Sequence, residues 1–123
     1  MRLKGLDLEE RREYEQALAC YQDAVAADPS FAPAYNEMGM VLIDLERYEE
    51  AVAALQTAIR LDPLYADPHN NLGFVLRRLS RHTEAAEVYA RYLELNPDDT
   101  DAPRIRKWLA SLPTSTPEAP APA

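Results

Sequence analysis

Little in this chain could cross-link it, cradle a phosphate or carry it through a membrane. It has one cysteine, Cys20, so no internal disulfide can form, and a reducing, cytoplasmic setting is expected. Its three glycines are scattered, which excludes a glycine-rich phosphate loop. No apolar run approaches the ~20 residues that a bilayer span requires. The opening Met1-Arg2-Leu3-Lys4-Gly5 leads into charged residues and not into the apolar stretch of a signal peptide. Basic residues are also short, 13 against 21 acidic ones, for a net charge of -8. A field of that sign repels phosphate backbones, so no nucleic-acid partner is expected. The two histidines, His69 and His82, stand in columns otherwise filled by tyrosine and read as packing residues. No metal-spaced Cys/His set or nucleophile motif is present. The expectation is a protein without catalytic residues, metal or cofactor.

What is present is repetition. Shifted by 34 residues, the 123-residue sequence lies on itself without a gap. Pro29, Pro63 and Pro97 align, preceded by Asp28, Asp62 and Asn96. Ala17, Ala51 and Ala85 form a second column, and Leu8, Leu42 and Leu76 a third. Gly5, Gly39 and Gly73, which are all the glycines, form a fourth. Tyr14 and Tyr48 are matched by His82, and Tyr21 and Leu55 by Tyr89.

Within each period apolar residues recur at three- and four-residue steps, the mark of two amphipathic helices. In the second period these run roughly over 33–45 and 48–61. The turn near Glu46-Arg47 is short, so the helices must pack antiparallel. Gly39 and Ala51 are small where the axes come close. The Asp-Pro or Asn-Pro at Pro29, Pro63 and Pro97 ends a helix, because proline lacks an N–H and disfavours helical backbone in the residue before it. Pro33 and Pro68 suit the first turn of the next helix. One pair cannot cover its own apolar face, whereas a stack can.

The pattern resembles the tetratricopeptide repeat, a 34-residue unit marked by a large residue, Leu-Gly, a later Ala, an aromatic and Pro. The second unit reads Tyr35, Met38-Gly39, Leu42, Tyr48, Ala51, Leu55, Ala58, Pro63, and the third His69, Leu72-Gly73, Leu76, His82, Ala85, Tyr89, Tyr92, Pro97. The first carries Gly5, Leu8, Tyr14, Ala17, Tyr21, Ala24 and Pro29, with Met1 already where the large residue belongs. The resemblance implies an all-α, right-handed superhelical solenoid over residues 1–112. Three antiparallel pairs (about 1–31, 32–65 and 66–99) and a capping helix over about 101–112 make seven helices. Ile105, Trp108, Leu109 and Leu112 share the apolar face of that cap, which should pack near Tyr89, Tyr92 and Leu93. Residues 113–123, rich in proline and alanine, read as a tail without regular structure.

The same resemblance implies a concave groove lined by the first helix of each unit. Leu6, Met40 and Phe74 form one groove column, with Asn36 and Asn70 beside it and Ile43 and Arg77 a turn further on. Apolar side chains left in a groove suggest a site, and asparagine can both donate to and accept from a peptide backbone. The expected partner is a peptide or helix touching Leu6, Asn36, Met40, Ile43, Asn70, Asn71, Phe74 and Arg77, with Arg77 meeting an acidic group. Relatives that clamp the paired carboxylates of chaperone C-termini use lysines, asparagines and an arginine. The corresponding places here are Arg2, Leu6, Glu37, Asp67 and Asn71, two of them acidic, so a co-chaperone of that kind is not expected. Three other readings stay open: self-association through an N-terminal apolar edge near Met1, Leu3 and Val25; an accessory piece of a longer protein; and an RNA-reading helical repeat, which the 34-residue period and acidic balance disfavour.

Overall fold

A computed structural model describes residues 7–113, and among these residues every regular element is a helix: α1 (Leu8–Ala27), α2 (Ala32–Asp44), α3 (Tyr48–Leu61), α4 (Asp67–Arg78), α5 (His82–Leu95) and α6 (Ala102–Ser111). The all-α solenoid implied by the repeat is what forms. Leu6 and most of the Pro/Ala-rich segment lie outside the described residues.

The boundaries follow from local chemistry. α2, α4 and α6 each carry proline in the first turn, at Pro33, Pro68 and Pro103. α1, α3 and α5 stop at Asp28, Asp62 and Asn96, whose φ/ψ of -140°/85°, -147°/84° and -147°/64° lies outside the helical region that a following proline disfavours. Inside units two and three the chain reverses through a left-handed residue, Glu46 (φ 59°) or Ser80 (φ 61°). The Glu46 and Ser80 N–H groups donate to the carbonyls of Ile43 and Arg77, and those of Arg47 and Arg81 to Leu42 and Leu76. That double bond pattern satisfies the carbonyls at the helix end and closes the turn.

The first unit departs from the expectation. Instead of a helix pair, α1 runs without a break through Arg11, Arg12 and Glu13, where the other units turn, so six helices replace the expected seven among the described residues. Arg11 stands where Leu45 and Leu79 tuck under the turn, and Asp7 where Val41 and Val75 face the core. An Asp7–Glu10 capping box starts the helix just upstream. With no apolar residue to seal a turn, propagating a helix already nucleated is favoured over breaking it.

Units two and three fold as antiparallel pairs, α2 with α3 and α4 with α5, and each helix also packs on its neighbour in sequence. α2 and α4 touch each other, whereas α3 and α5 do not approach as closely, so the stack curves toward α2 and α4. The continuous core contains Leu42, Leu45, Ala51, Leu55, Leu72, Val75, Leu76 and Ala85. A second cluster of Tyr89, Tyr92 and Ile105, with Leu93, Trp108 and Leu109 against it, seats α6 on α5. The Trp108 ring meets Tyr89 edge-on at 5.6 Å.

Two predictions arise here. A Cβ at Gly39 would lie 2.6 Å from the Leu55 side chain, and one at Gly73 2.5 Å from the Tyr89 ring. Alanine gains roughly 1 kcal/mol over glycine in helix propensity, while overpacking costs about 1–3 kcal/mol. Leu55 is fully buried with its branch-point Cγ itself 2.6 Å away, and the Tyr89 ring is held by Trp108, so neither yields cheaply. Gly39→Ala and Gly73→Ala should therefore both lower the urea midpoint. Deleting residues 102–123 should bare the Tyr89–Tyr92 surface and cause aggregation in light scattering, whereas deleting 113–123 should leave the protein monodisperse or unchanged in assembly.

Candidate functional groove

The inner face is built by α2 and α4, whose side chains at three- and four-residue steps point the same way. Met40 on α2 and Phe74 on α4 are each 41% exposed, large apolar groups left in water on the curved-in side. Ile43 is half-buried and leans on the core.

The asparagines separate into different roles. Asn36 is only 2% exposed, so it lies within the wall and does not line the groove as expected. Its amide nitrogen donates to the Tyr65 hydroxyl (3.4 Å), and its carbonyl oxygen accepts from Asn71 Nδ2 (3.0 Å). A buried amide must be satisfied, and this one is satisfied by Tyr65 at the end of its own unit and by Asn71 of the next. Asn70 is half-buried and donates to Asp101 Oδ2 at 3.0 Å, tying α4 to the start of α6. Asn71 is half-buried, with one N–H used on Asn36.

At the α4–α6 end the groove deepens into a cleft of about 310 Å3 lined by Phe74, Arg77, Arg78, His82, Arg104 and Trp108. Arg77 lies over the Trp108 ring at 4.5 Å, and Arg78 lies 5.5 Å from the Tyr48 ring with a 3.2 Å hydrogen bond to its hydroxyl. Cation–π contact steadies both guanidinium groups while leaving donors unspent. Exposed Arg104 pairs with half-buried Asp101 at 3.4 Å, a contact worth little at the surface. Three arginines thus gather beside two aromatic rings on a chain of net charge -8. Of these lining residues, sequence reasoning had picked only Phe74 and Arg77. Trp108 could have been found, since it stands one period after Phe74 and two after Met40.

On the other face, a shallow cleft between α3 and α5 has His69 and Leu72 among its lining. Another between α1 and α3 has Tyr35 and Met38 in the same columns, so both are seams of unit stacking. His69 is buried, and its Nδ1–H donates to the Tyr65 carbonyl at 3.0 Å. Burial pushes its pKa below the ordinary histidine value, against the opposing pull of that carbonyl. Tyr92 donates to Asp99, which also accepts from the Asp101 N–H. Those two bonds hold the Asp99 carboxyl below the usual carboxylate range. Among the described residues no group of three or more His, Cys, Asp or Glu is placed to hold a metal, and no helix is long and apolar enough to cross a membrane.

The His69 shift carries a sign. Its folded pKa is depressed, so its contribution to stability is complete above the unfolded value of about 6.5 and is lost as pH falls through the folded one. Urea midpoints measured downward from neutral pH should fall in that window. His69→Tyr, which installs the residue found in that column of unit two, should flatten the fall.

Comparison with known proteins agrees with this architecture. The family described as tetratricopeptide repeat matches residues 2–42 and 36–100. No curated protein sequence matches the chain. Among solved structures, the TPR domain of Arabidopsis OM64 superposes with a TM-score of 0.76 at 21% identity, over 80% of this chain and 82% of that one. The second TPR of Spaghetti (RPAP3), bound to the HSP90 peptide SRMEEVD, is 30% identical with a TM-score of 0.66, over 68% of this chain and 77% of that one. The second TPR domain of human RPAP3, in complex with the HSP70 peptide SGPTIEEVD, is 27% identical with a TM-score of 0.74, over 80% and 82%.

Proposed function

The chain belongs to the tetratricopeptide-repeat family, a protein-interaction fold, and from that premise we propose that it is a scaffold or adaptor, not an enzyme, which holds an acidic peptide or short helix in the α2–α4 groove. The observation that carries this is the pair of apolar side chains, Met40 and Phe74, left 41% exposed on the inner face beside a cluster of arginines. Met40, Ile43 and Phe74 would take the ligand's apolar side chains, a column that Leu6 extends in sequence. Asn70 and Asn71 would bond its backbone, with Asn36 behind them fixing the wall. Arg77, Arg78 and Arg104 would meet a carboxylate at the cleft.

The proposed ligand does not end in a clamped pair of carboxylates. Glu37 and Asp67 occupy positions where a carboxylate clamp needs neutral or basic groups, and like charges there oppose a paired-carboxylate end. An internal acidic segment that reaches only the arginine cleft avoids them. The setting in which this fits best is the cytoplasm.

A peptide selected from a displayed library of acidic segments bearing one aromatic or aliphatic residue supplies the probe, with fluorescence anisotropy as the readout. Binding anchors are few and enriched in aromatics and arginine, so Phe74→Ala should weaken the complex by about 2 kcal/mol, or roughly 30-fold. Arg77→Glu should weaken it most at low salt. Glu87→Ala, on the opposite face, should change nothing. If Phe74→Ala unfolds the protein while the folded fraction keeps its affinity, the ring is core and the groove site fails.

A further inference from the structure

The cleft at the α4–α6 end holds more positive charge than a carboxylate uses. Elsewhere Arg47, Arg81 and Arg91 each pair with a glutamate three residues on. In the cleft, among the described residues, Asp101 is the one carboxylate that pairs with any of Arg77, Arg78 and Arg104. Arg77 rests on the Trp108 ring and Arg78 spends a hydrogen bond on the Tyr48 hydroxyl, and neither contact removes charge. Three guanidiniums less one carboxylate leave two positive charges, with His82 counted neutral. Like charges gathered in one cleft repel one another. The stacking of units does not call for them, since the same columns one period earlier hold Ile43, Asp44 and Asn70.

We infer that the cleft takes the phosphate of a phosphoserine carried by the peptide in the groove. This rests on the groove reading above and names what its arginines meet. A carboxylate brings one charge and two oxygens, which a single guanidinium fork satisfies. A phosphomonoester brings nearly two charges and three acceptor oxygens. That matches both the excess of two and the number of forks. Arg77 and Arg78 come from α4 and Arg104 from α6, so the phosphate is met from two walls. Asp101 stays against Arg104 and Asn70, and its charge is already counted in the excess. Phe74 belongs to both groove and cleft, so a peptide whose apolar residue rests on it carries the following residues to the arginines. Arg77 covers a face of Trp108 on which a phosphotyrosine ring would stack, which favours the shorter phosphoserine.

Trp108 is the only tryptophan of the chain and lines the cleft, so its emission reports binding there. The probes are short synthetic peptides with one phenylalanine and, two residues before or after it, phosphoserine, glutamate, serine or phosphotyrosine, because alternate side chains of an extended segment share a face. The phosphoserine peptide should bind roughly ten-fold or more tighter than its glutamate twin, and the serine peptide weakest. That advantage should shrink as salt rises. Arg104→Asn installs the residue that both earlier units carry in that column. It should bring the phosphoserine and glutamate affinities within a few-fold and leave circular dichroism unchanged, since Arg104 is exposed. Deleting residues 114–123 should leave the phosphoserine affinity as it is. Equal affinities for the phosphoserine and glutamate peptides overturn the inference and leave the acidic-peptide reading standing, whereas failure of every peptide to bind overturns both. A phosphotyrosine peptide that binds tightest overturns the choice of side chain. An advantage that survives Arg104→Asn overturns the arginine cleft as its seat, and a large gain on the deletion overturns an open site by giving the cleft to the tail.

Discussion

Two helices can lie as near as those of units two and three only where one of them presents no side chain at the crossing. Gly39 and Gly73 are those points, and the Leu55 and Tyr89 side chains fill the space that a Cβ would claim. The rest of the architecture depends on that approach. It closes each pair tightly enough that Leu42, Ala51, Val75 and Ala85 form one dry core. It also lets α2 reach α4 while α3 and α5 stand further apart, which bends the stack inward. The groove is a consequence of two missing methyl groups repeated at one period.

The local charge of the groove opposes that of the whole molecule. The chain carries -8 overall, yet Arg77, Arg78 and Arg104 share one small cleft. Screening confines most interactions between exposed charges to about 10 Å at ordinary ionic strength. On the proposed reading an acidic segment would be repelled weakly at a distance and attracted at contact. Such an arrangement would discriminate by where a carboxylate falls along a ligand, not by how many it carries. The ring of Trp108 adds to this by holding the Arg77 guanidinium over its face, so that less rotamer freedom would be lost on binding an anion.

Much of the fold was legible because the repeat states each instruction more than once. Pro33, Pro68, Asp62 and Asn96 mark boundaries by backbone chemistry alone, and the structure ends α3 at Leu61 and α5 at Leu95. Unit one was misjudged because its columns are present while its turn is not. The cue was the substitution of Arg11 and Asp7 at positions that are leucine and valine elsewhere, which matters only when the closing of the turn is considered. The groove was half legible. Met40 and Phe74 fell where a shared helix face put them. Asn36 and Asn70, identical residues in one column, went separate ways because their neighbours differ. The residue that bonds Asn36 is Asn71, and its counterpart one unit on is Ile105, so Asn70 turns to Asp101 instead. A single column cannot reveal that, since the answer sits on the following unit.

The buried amide of Asn36 also acts as a key between units. Apolar faces tolerate sliding, because one methyl group can replace another at little cost. A shift of α4 along α2 by one helical turn would keep much of the apolar contact. It would also strip Asn36 of both Asn71 and Tyr65 and leave a sealed polar group unmatched, a penalty of about 1–3 kcal/mol. One misfit of that size, set inside an otherwise permissive seam, is enough to make a single stacking offset prevail over its neighbours. The curvature of the inner face, and hence the spacing from Met40 to Phe74, is then inherited from a hydrogen bond that no ligand touches.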